Sequence, residues 1–266
     1  MTRIMMRQFL TMADHTRSCL AIQISSTWMP WLPRSSSLHA PAIDALMRTS
    51  LLTLTALFLL AQIMLLAGMF LPSQQRPRFS STGRWVVTVA FAAALIWMTV
   101  VAERLWFTIR MTQAESNAVQ VEVTGMQFQW YFRYPGPDGI YGKTRPDLVD
   151  AAGGNPLGLD PADPHGADDV VSSVLVLPAD QQTNLQLRSQ DVVHGFFIPS
   201  MRVMQNATPG SLSQIHLTPT RLGDSAIVCT QLCGLGHYRM QAVLRVISSR
   251  DFAAWMAQHE ASLKER

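Results

Sequence analysis

A chain of 266 residues has room for one or two domains and a sizeable core. Its residues are 48% hydrophobic and only 15% charged, against about 25% charged in an ordinary soluble protein, which argues against a purely soluble globule. The formal net charge of +3 is no larger than the charge of one short connector, described below, and gives no reason to expect nucleic-acid binding.

Residues 1–44 read as an N-terminal extension that is open to processing. Arg3 and Arg7 precede a weakly apolar segment containing Trp28, Pro30, Trp31 and Pro33, which suits a poor signal peptide, an interfacial segment or a disordered stretch. Cys19 lies here, far from the other cysteines, and carries no expectation. Residues 45–110 then read as a transmembrane hairpin. Thr49 to Leu71 and Trp85 to Ala102 contain no charge, and each can cross a hydrocarbon core of about 30 Å as a helix. The expected helices run over about 49–71 and 85–107. The alternative is a pair of buried core helices, but two such runs joined by a short connector fit a hairpin better. That connector carries Arg76, Arg78 and Arg84 and no acid, which places it on the cytoplasmic side. Both termini then face outward. Nearly all of the 21 basic residues are arginine, in keeping with a GC-rich bacterial genome and a bacterial inner membrane.

Residues 111–266 change character. Short alternating runs predict strands at Val119–Gly125, Gln127–Tyr134, Val170–Pro178, Thr183–Ser189, Val192–Pro199, Ser213–Pro219, Ser225–Cys229 and Met240–Ser248. Turn residues separate them, so the pattern predicts a β-sandwich or Greek-key barrel. A C-terminal helix follows, with Ser248 and Asp251 as a capping box and Phe252, Trp255 and Met256 as its apolar stripe. Between the second and third runs lies a long loop, 135–169, rich in Gly, Pro and Asp. A loop of this length is usually functional or partner-bound. Its aspartates predict either an acidic docking surface or calcium site, or a solvated loop held by a neighbouring subunit.

The segment CTQLCGLGHYRM, Cys229 to Met240, places two of the chain's 3 cysteines beside a histidine and a methionine. A disulfide between Cys229 and Cys233 would close a very small loop and leave His237 and Met240 without a role. Zinc takes four Cys or His ligands, and methionine is not among them. Thiolate, thioether and imidazole together suit copper, and two thiolates can each bridge two metals. Each copper then needs one imidazole and one weak axial donor. The second imidazole decides the matter. His15 and His39 precede the hairpin, His165 is in the acidic loop, His259 is in the terminal helix, and His216 alternates onto a polar strand face. His194, beside Gly195 and large apolar residues, is the remaining candidate. On its own it would read as a satisfied core residue.

At this point the residues resemble a known family. DVVHGFFIPSMRV followed by CTQLCGLGHYRM, with the pattern His…Cys-x3-Cys-x3-His-x2-Met, is similar to the CuA signature of haem-copper oxidase subunit II, the cytochrome c oxidase type. The resemblance covers about residues 45–250. It implies a membrane-anchored all-β protein: a two-helix transmembrane hairpin followed by a cupredoxin-like Greek-key β-barrel, here with a C-terminal helix. It implies Cys229 and Cys233 as bridging thiolates, His194 and His237 as one imidazole per copper, Met240 as axial thioether and the Gln231 backbone carbonyl as the other weak donor. The family's commonest form has glutamate at the Gln231 position, whose carboxylate helps hold magnesium at the contact with subunit I. A neutral amide is a poorer ligand for that hard cation, so the resemblance does not carry magnesium over. It does imply electron transfer from a c-type cytochrome to haem in subunit I, where oxygen is reduced to water with proton pumping. Subunit I, subunit III and membrane lipid are the implied neighbours. Phe128 occupies the position of the family's exposed tryptophan, and Trp130 lies two residues on; these two are the candidates for the point where electrons arrive. A copper-bearing subunit of a nitric oxide reductase, and a membrane-anchored structural β-domain with zinc or a disulfide, are the alternatives.

Overall fold

The computed structural model describes residues 32–70, 81–110 and 114–264, with the backbone alone for 260–264. The expectations for Arg3, Arg7, Cys19, Trp28, Arg76 and Arg78 lie outside the described residues. The chain divides into two compact units, 1–40 with 113–266 and 41–112.

The helical unit contains α1 (Ala40–Phe70) and α2 (Ser81–Arg110), both long and apolar enough to cross a membrane. Both extend beyond the uncharged runs. Pro41 suits the first turn of α1, where its missing N–H is not needed. Asp44 and Arg48 then continue the helix without adding hydropathy, so the composition did not reveal its start. Along the apolar windows no residue is buried: Leu65 is 66% exposed and Val86 62%. Apolar surface on this scale calls for lipid or a partner rather than water.

The β unit has two five-stranded sheets. Its strands are β1 (Val119–Met126), β2 (Gln129–Tyr134), β3 (Val170–Ser172), β4 (Val174–Pro178), β5 (Thr183–Ser189), β6 (His194–Ile198), β7 (Val203–Ala207), β8 (Ser213–Leu217), β9 (Gly223–Cys229) and β10 (Gln241–Ile247). One sheet runs β3-β2-β1-β5-β8 and the other β4-β10-β9-β6-β7. The β1–β5 and β4–β10 pairs are parallel, and the other pairs are antiparallel. Both sheets give inward residues to one core, among them Val121, Val123, Leu185 and Leu187 from the first and Leu175, Leu177, Phe196 and Leu244 from the second.

Two features differ from the alternation pattern. The single strand expected over Val170–Pro178 is two strands, one in each sheet. The Ser172 hydroxyl makes the corner possible: it donates to the Val174 carbonyl and accepts from the Val174 N–H, satisfying both where the ladder breaks. The second difference is β7, an edge strand opposite β6. Its face is only partly covered, with Met204 47% exposed, so polar Gln205 and Asn206 hide the period-two pattern. Tyr134 joins the sheets. Its buried hydroxyl donates to the Val176 carbonyl and accepts from the Val176 N–H.

The loop 135–169 is ordered by its own aspartates. Asp150 accepts from the Gly153 N–H, Asp160 from Ala162, and Asp163 from Lys143 and His165. Apart from the Lys143 bond, which joins distant parts of the loop, these are local turn-forming bonds of short acidic side chains. Its last residue is pinned underneath: Asp169, 2% exposed, accepts from Arg133, itself 1% exposed, and from the Gly142 N–H. Burial pushes the Asp169 carboxyl up in pKa and the Arg133 hydrogen bond opposes it. The loop's carboxylates do not converge on a common point. Among the described residues, no three of the loop's acids bring their oxygens together, and several are engaged in turns or with Arg133, Arg145 and His165.

At the C terminus, α3 (Ser249–Lys264) is capped by the expected pair, Ser248 and Asp251, with the acid on the serine hydroxyl rather than on its N–H. The Asp251 N–H donates to the Ser248 hydroxyl at 3.1 Å, and that hydroxyl donates to the Asp251 carboxylate at 2.7 Å. Phe252, Trp255 and Met256 pack on the core, Trp255 edge-on to Tyr134. Residues 36–40 had no predicted role beyond the extension. They join the β unit: Ser36 N–H donates to the Ser200 carbonyl, Leu38 N–H to Thr218, and the Ser37 hydroxyl to Met201.

Candidate metal centre

β9 ends at Cys229 and β10 begins at Gln241, so the whole motif is the connection between two adjacent antiparallel strands. The Cys229 N–H donates to the Met240 carbonyl at 3.1 Å and closes the neck of this loop. The Thr230 N–H donates to the Gly195 carbonyl at 2.9 Å and ties the loop to β6. Gly195 is required for that approach: a Cβ there would lie 2.3 Å from Thr230 Oγ1 and 2.9 Å from the Gln231 nitrogen. Gly234 has φ +139°, a conformation that side-chain-bearing residues rarely adopt.

This folding brings together all six residues named from the sequence. The ligand atoms of His194, Cys229 and Cys233 lie within 4.8 Å of one another, the only such group of His, Cys, Asp or Glu among the described residues. The two sulfurs are 3.9 Å apart and both thiols are free. A disulfide requires about 2.05 Å, so none is formed. An ion at a metal–thiolate distance of about 2.3 Å can touch both sulfurs at this spacing. His237 Nδ1 lies 3.6 Å from Cys233 Sγ, and Met240 Sδ lies 3.8 Å from the same sulfur. The Gln231 backbone carbonyl lies 3.2 Å from Cys229 Sγ and accepts from that thiol.

His194 stands at the start of β6 and is fully buried. Its Nε2 lies 2.7 Å from Asp191 Oδ1. A carboxylate only accepts, so Nε2 carries a proton, and in the neutral ring Nδ1 keeps a free lone pair. That Nδ1 is buried without a partner. An unpaired imidazole nitrogen in a dry site with two thiols is the chemistry of a metal ligand, and the carboxylate behind it is the usual means of fixing tautomer and ring. Burial would raise the Asp191 carboxyl, but hydrogen bonds from His194 and from the Gln127 and Val192 N–H groups outweigh it and hold the group below the usual carboxylate range. Asp191 was not singled out in the sequence; its place three residues before the histidine was the available sign. The Cys233 thiol is pushed up, first by burial and then by the neighbouring Cys229. A cation beside that thiol would favour its thiolate form.

The aromatic candidates flank the site in different ways. Phe128 lies in the turn before β2, outside the strand expected from Gln127 onward. It is 37% exposed, and its ring packs where a Cβ at Gly236 would lie. Trp130 and Phe132, two apart in β2, are both buried; alternation extended back to Phe128 would place it on the same face, but it lies in the turn and is half-exposed. Trp130 is fully buried and stands edge-on to His194 at 5.8 Å and to Phe196 at 5.2 Å. Gln127 completes the frame by donating to the Cys233 carbonyl at 2.5 Å.

Known proteins are similar to this chain over its β unit. The profile of the family described as "Cytochrome C oxidase subunit II, periplasmic domain" matches residues 119–247. An "Alternative cytochrome c oxidase subunit 2" of Bradyrhizobium diazoefficiens is 39% identical over 147 residues, 54% of this chain and 52% of that one. A "Cytochrome c oxidase subunit 2" of Candida albicans is 30% identical over 154 residues, 55% of this chain and 54% of that one. The chain thus spans about half the length of these relatives. Among solved structures, the periplasmic domain of subunit II of cytochrome oxidase from Bradyrhizobium japonicum aligns with a TM-score of 0.42 at 23% identity, covering 57% of this chain and 98% of that one. The matched profile spans the two sheets and every donor of the metal cluster, so residues 119–247 are similar to the periplasmic domain of cytochrome c oxidase subunit II.

Proposed function

We propose that this chain is the electron-transfer subunit of a respiratory haem-copper oxidase and holds a dinuclear CuA centre. One observation carries the reading: two thiols, two imidazoles, a thioether and one backbone carbonyl converge on one loop and one strand, with the His194 Nδ1 buried and unpaired. Cys229 and Cys233 would bridge, His194 and His237 would each bind one copper, and Met240 and the Gln231 carbonyl would be the weak donors. When bound, such a centre stores one electron shared over two metals and two sulfurs.

The protein's own contribution is rigidity and dryness. Strand ends hold Cys229 and His194, the Asp191 carboxylate fixes the His194 ring, and the Gln127 amide clamps the loop at Cys233. His194, Cys233 and Met240 are buried, at 0%, 4% and 1% exposure, which keeps solvent from the inner side of the site, while Cys229 and His237 are partly exposed and Gln231 is exposed. Phe128, at the surface beside the loop, is the aromatic side chain that an external donor would touch; Trp130 stiffens His194 from within. The donor would be a c-type cytochrome, and the acceptor haem in subunit I, where oxygen is reduced to water with proton pumping. α1 and α2 would anchor the chain in a bacterial inner membrane, against subunit I and lipid, with the β-domain and both termini on the periplasmic side.

Metal analysis of the full chain purified with copper tests this reading, with two coppers per chain and a purple colour expected. A colourless protein holding one zinc at Cys229, Cys233, His194 and His237 would replace it with the structural reading. Oxygen against nitric oxide consumption by the purified complex separates the oxidase from a nitric oxide reductase.

A further inference from the structure

Away from the metal centre, a cavity of about 450 Å³ opens between residues 33–36, the turn at Pro199–Ser200 and the start of β9. Arg34 and Arg221 line it, both exposed. Ser36 and Ser200 line it too, at 7% and 8% exposure, and neither hydroxyl has a hydrogen-bond partner. The wall is already held by backbone bonds. Ser36 N–H donates to the Ser200 carbonyl and the Thr220 N–H donates to the Ser36 carbonyl, both at 2.8 Å, which leaves the hydroxyls over. Asp224 is the one carboxylate of the lining, and it is engaged by both arms of the Arg245 guanidinium at 3.0 and 2.9 Å. It therefore does not neutralise Arg34 or Arg221.

Buried polar groups normally have partners, and unpaired ones call for an explanation. Here the lining supplies positive charge and hydroxyl donors, while its one acidic acceptor is already used. That combination rejects cations and gives a neutral polyol little to donate to. It suits an oxyanion, since guanidinium forks match phosphate geometry and hydroxyls complete its coordination. We propose that this cavity binds a phosphate-class oxyanion, held by Arg34 and Arg221 and hydrogen-bonded by Ser36 and Ser200. None of these residues belongs to the metal cluster, so the proposal stands or falls independently of copper. The same chemistry is offered by dissolved phosphate and by an anionic lipid headgroup.

Thermal unfolding of the full chain in neutral detergent, followed by tryptophan fluorescence, tests the site. Inorganic phosphate is titrated against chloride at matched ionic strength. A ligand bound only by the folded state raises the melting temperature with its concentration. The expected result is a saturable rise with phosphate that chloride does not give. Arg34→Gln and Arg221→Gln should each weaken the apparent affinity about tenfold or more, as loss of a charge-assisted pair implies. Both side chains are exposed, so the melting temperature without phosphate should stay at the wild-type value. Ser200→Ala should weaken binding as well, and Arg250→Gln, outside the cavity, should not. A second arm compares nanodiscs of phosphatidylglycerol with phosphatidylcholine. A shift with phosphatidylglycerol alone, abolished by both arginine variants, assigns the anion to a headgroup. No shift with either phosphate source, or an equal shift in both arginine variants, overturns the proposal.

Discussion

Gly195→Ala is the most informative single change in the loop that builds the cluster. The new Cβ would stand 2.3 Å from Thr230 Oγ1, 2.9 Å from the Gln231 nitrogen and 3.1 Å from the Thr230 nitrogen. The hydroxyl can rotate away, but the two backbone nitrogens cannot. The Thr230 N–H is bonded to the Gly195 carbonyl, so the loop is held against the strand at this spot. To restore ordinary contact the loop must retreat by about half an ångström. Overpacking of this kind costs about 1–3 kcal/mol. At about 2–4 °C per kcal/mol for a domain of this size, the melting temperature should fall by about 2–12 °C. The same retreat carries Cys229 and Gln231 away from His194, which lies on the strand. Copper affinity, measured by competition with a chelator, should therefore weaken by about tenfold or more, as for other changes that misplace metal ligands. Gly166→Ala is the control, since its Cβ meets nothing closer than 3.6 Å. Unchanged melting temperature and copper affinity in Gly195→Ala would refute the close-approach argument.

Other expectations follow from separate parts of the molecule. Arg133→Met removes the cation bonded to buried Asp169 and next to buried Glu122 at 3.6 Å, leaving both acids with less compensation. A loss of about 3–5 kcal/mol is expected in denaturant unfolding, together with loosening of loop 135–169 detected by faster proteolysis. In that loop the Asp138 hydrogen bond raises the His165 pKa, and the His165 bond lowers that of Asp138. The pair is therefore intact below the His165 midpoint, is lost as pH rises through it, and is lost again as pH falls through the Asp138 midpoint. NMR titration should place the His165 midpoint above 6.5, and Asp138→Asn should lower it. Met240→Leu should keep most of the copper but shift the reduction potential in voltammetry, because it replaces a weak axial donor with a side chain of similar bulk.

Much of this architecture is written in local chemistry. The uncharged runs mark both membrane-type helices because hydropathy is additive along a segment. It does not mark their ends, where Asp44, Arg48 and Glu103 are helical but polar. Alternation finds strands with one covered face and fails at β7, whose face is half open. It also runs through Ser172, where the sheet changes but the composition does not. In the site, spacing alone brings Cys229, Cys233, His237 and Met240 together, because all four lie on one inter-strand loop. His194 was reachable only by weighing each histidine's surroundings. Gln127 is out of reach of spacing, since its bond to Cys233 joins segments distant in the chain; Asp191 stands three residues before His194, but its bond depends on side-chain direction. The docking of residues 36–40 onto the β unit is likewise a backbone event without a compositional mark.

The central claim is two coppers joined by two thiolates, and electron paramagnetic resonance of the copper-loaded full chain tests it most directly. The wild-type signal should show hyperfine structure from one electron shared equally by two copper nuclei, and Cys233→Ser should abolish that pattern. A wild-type spectrum of a single isolated copper, or a shared-electron spectrum that survives Cys233→Ser, would contradict it.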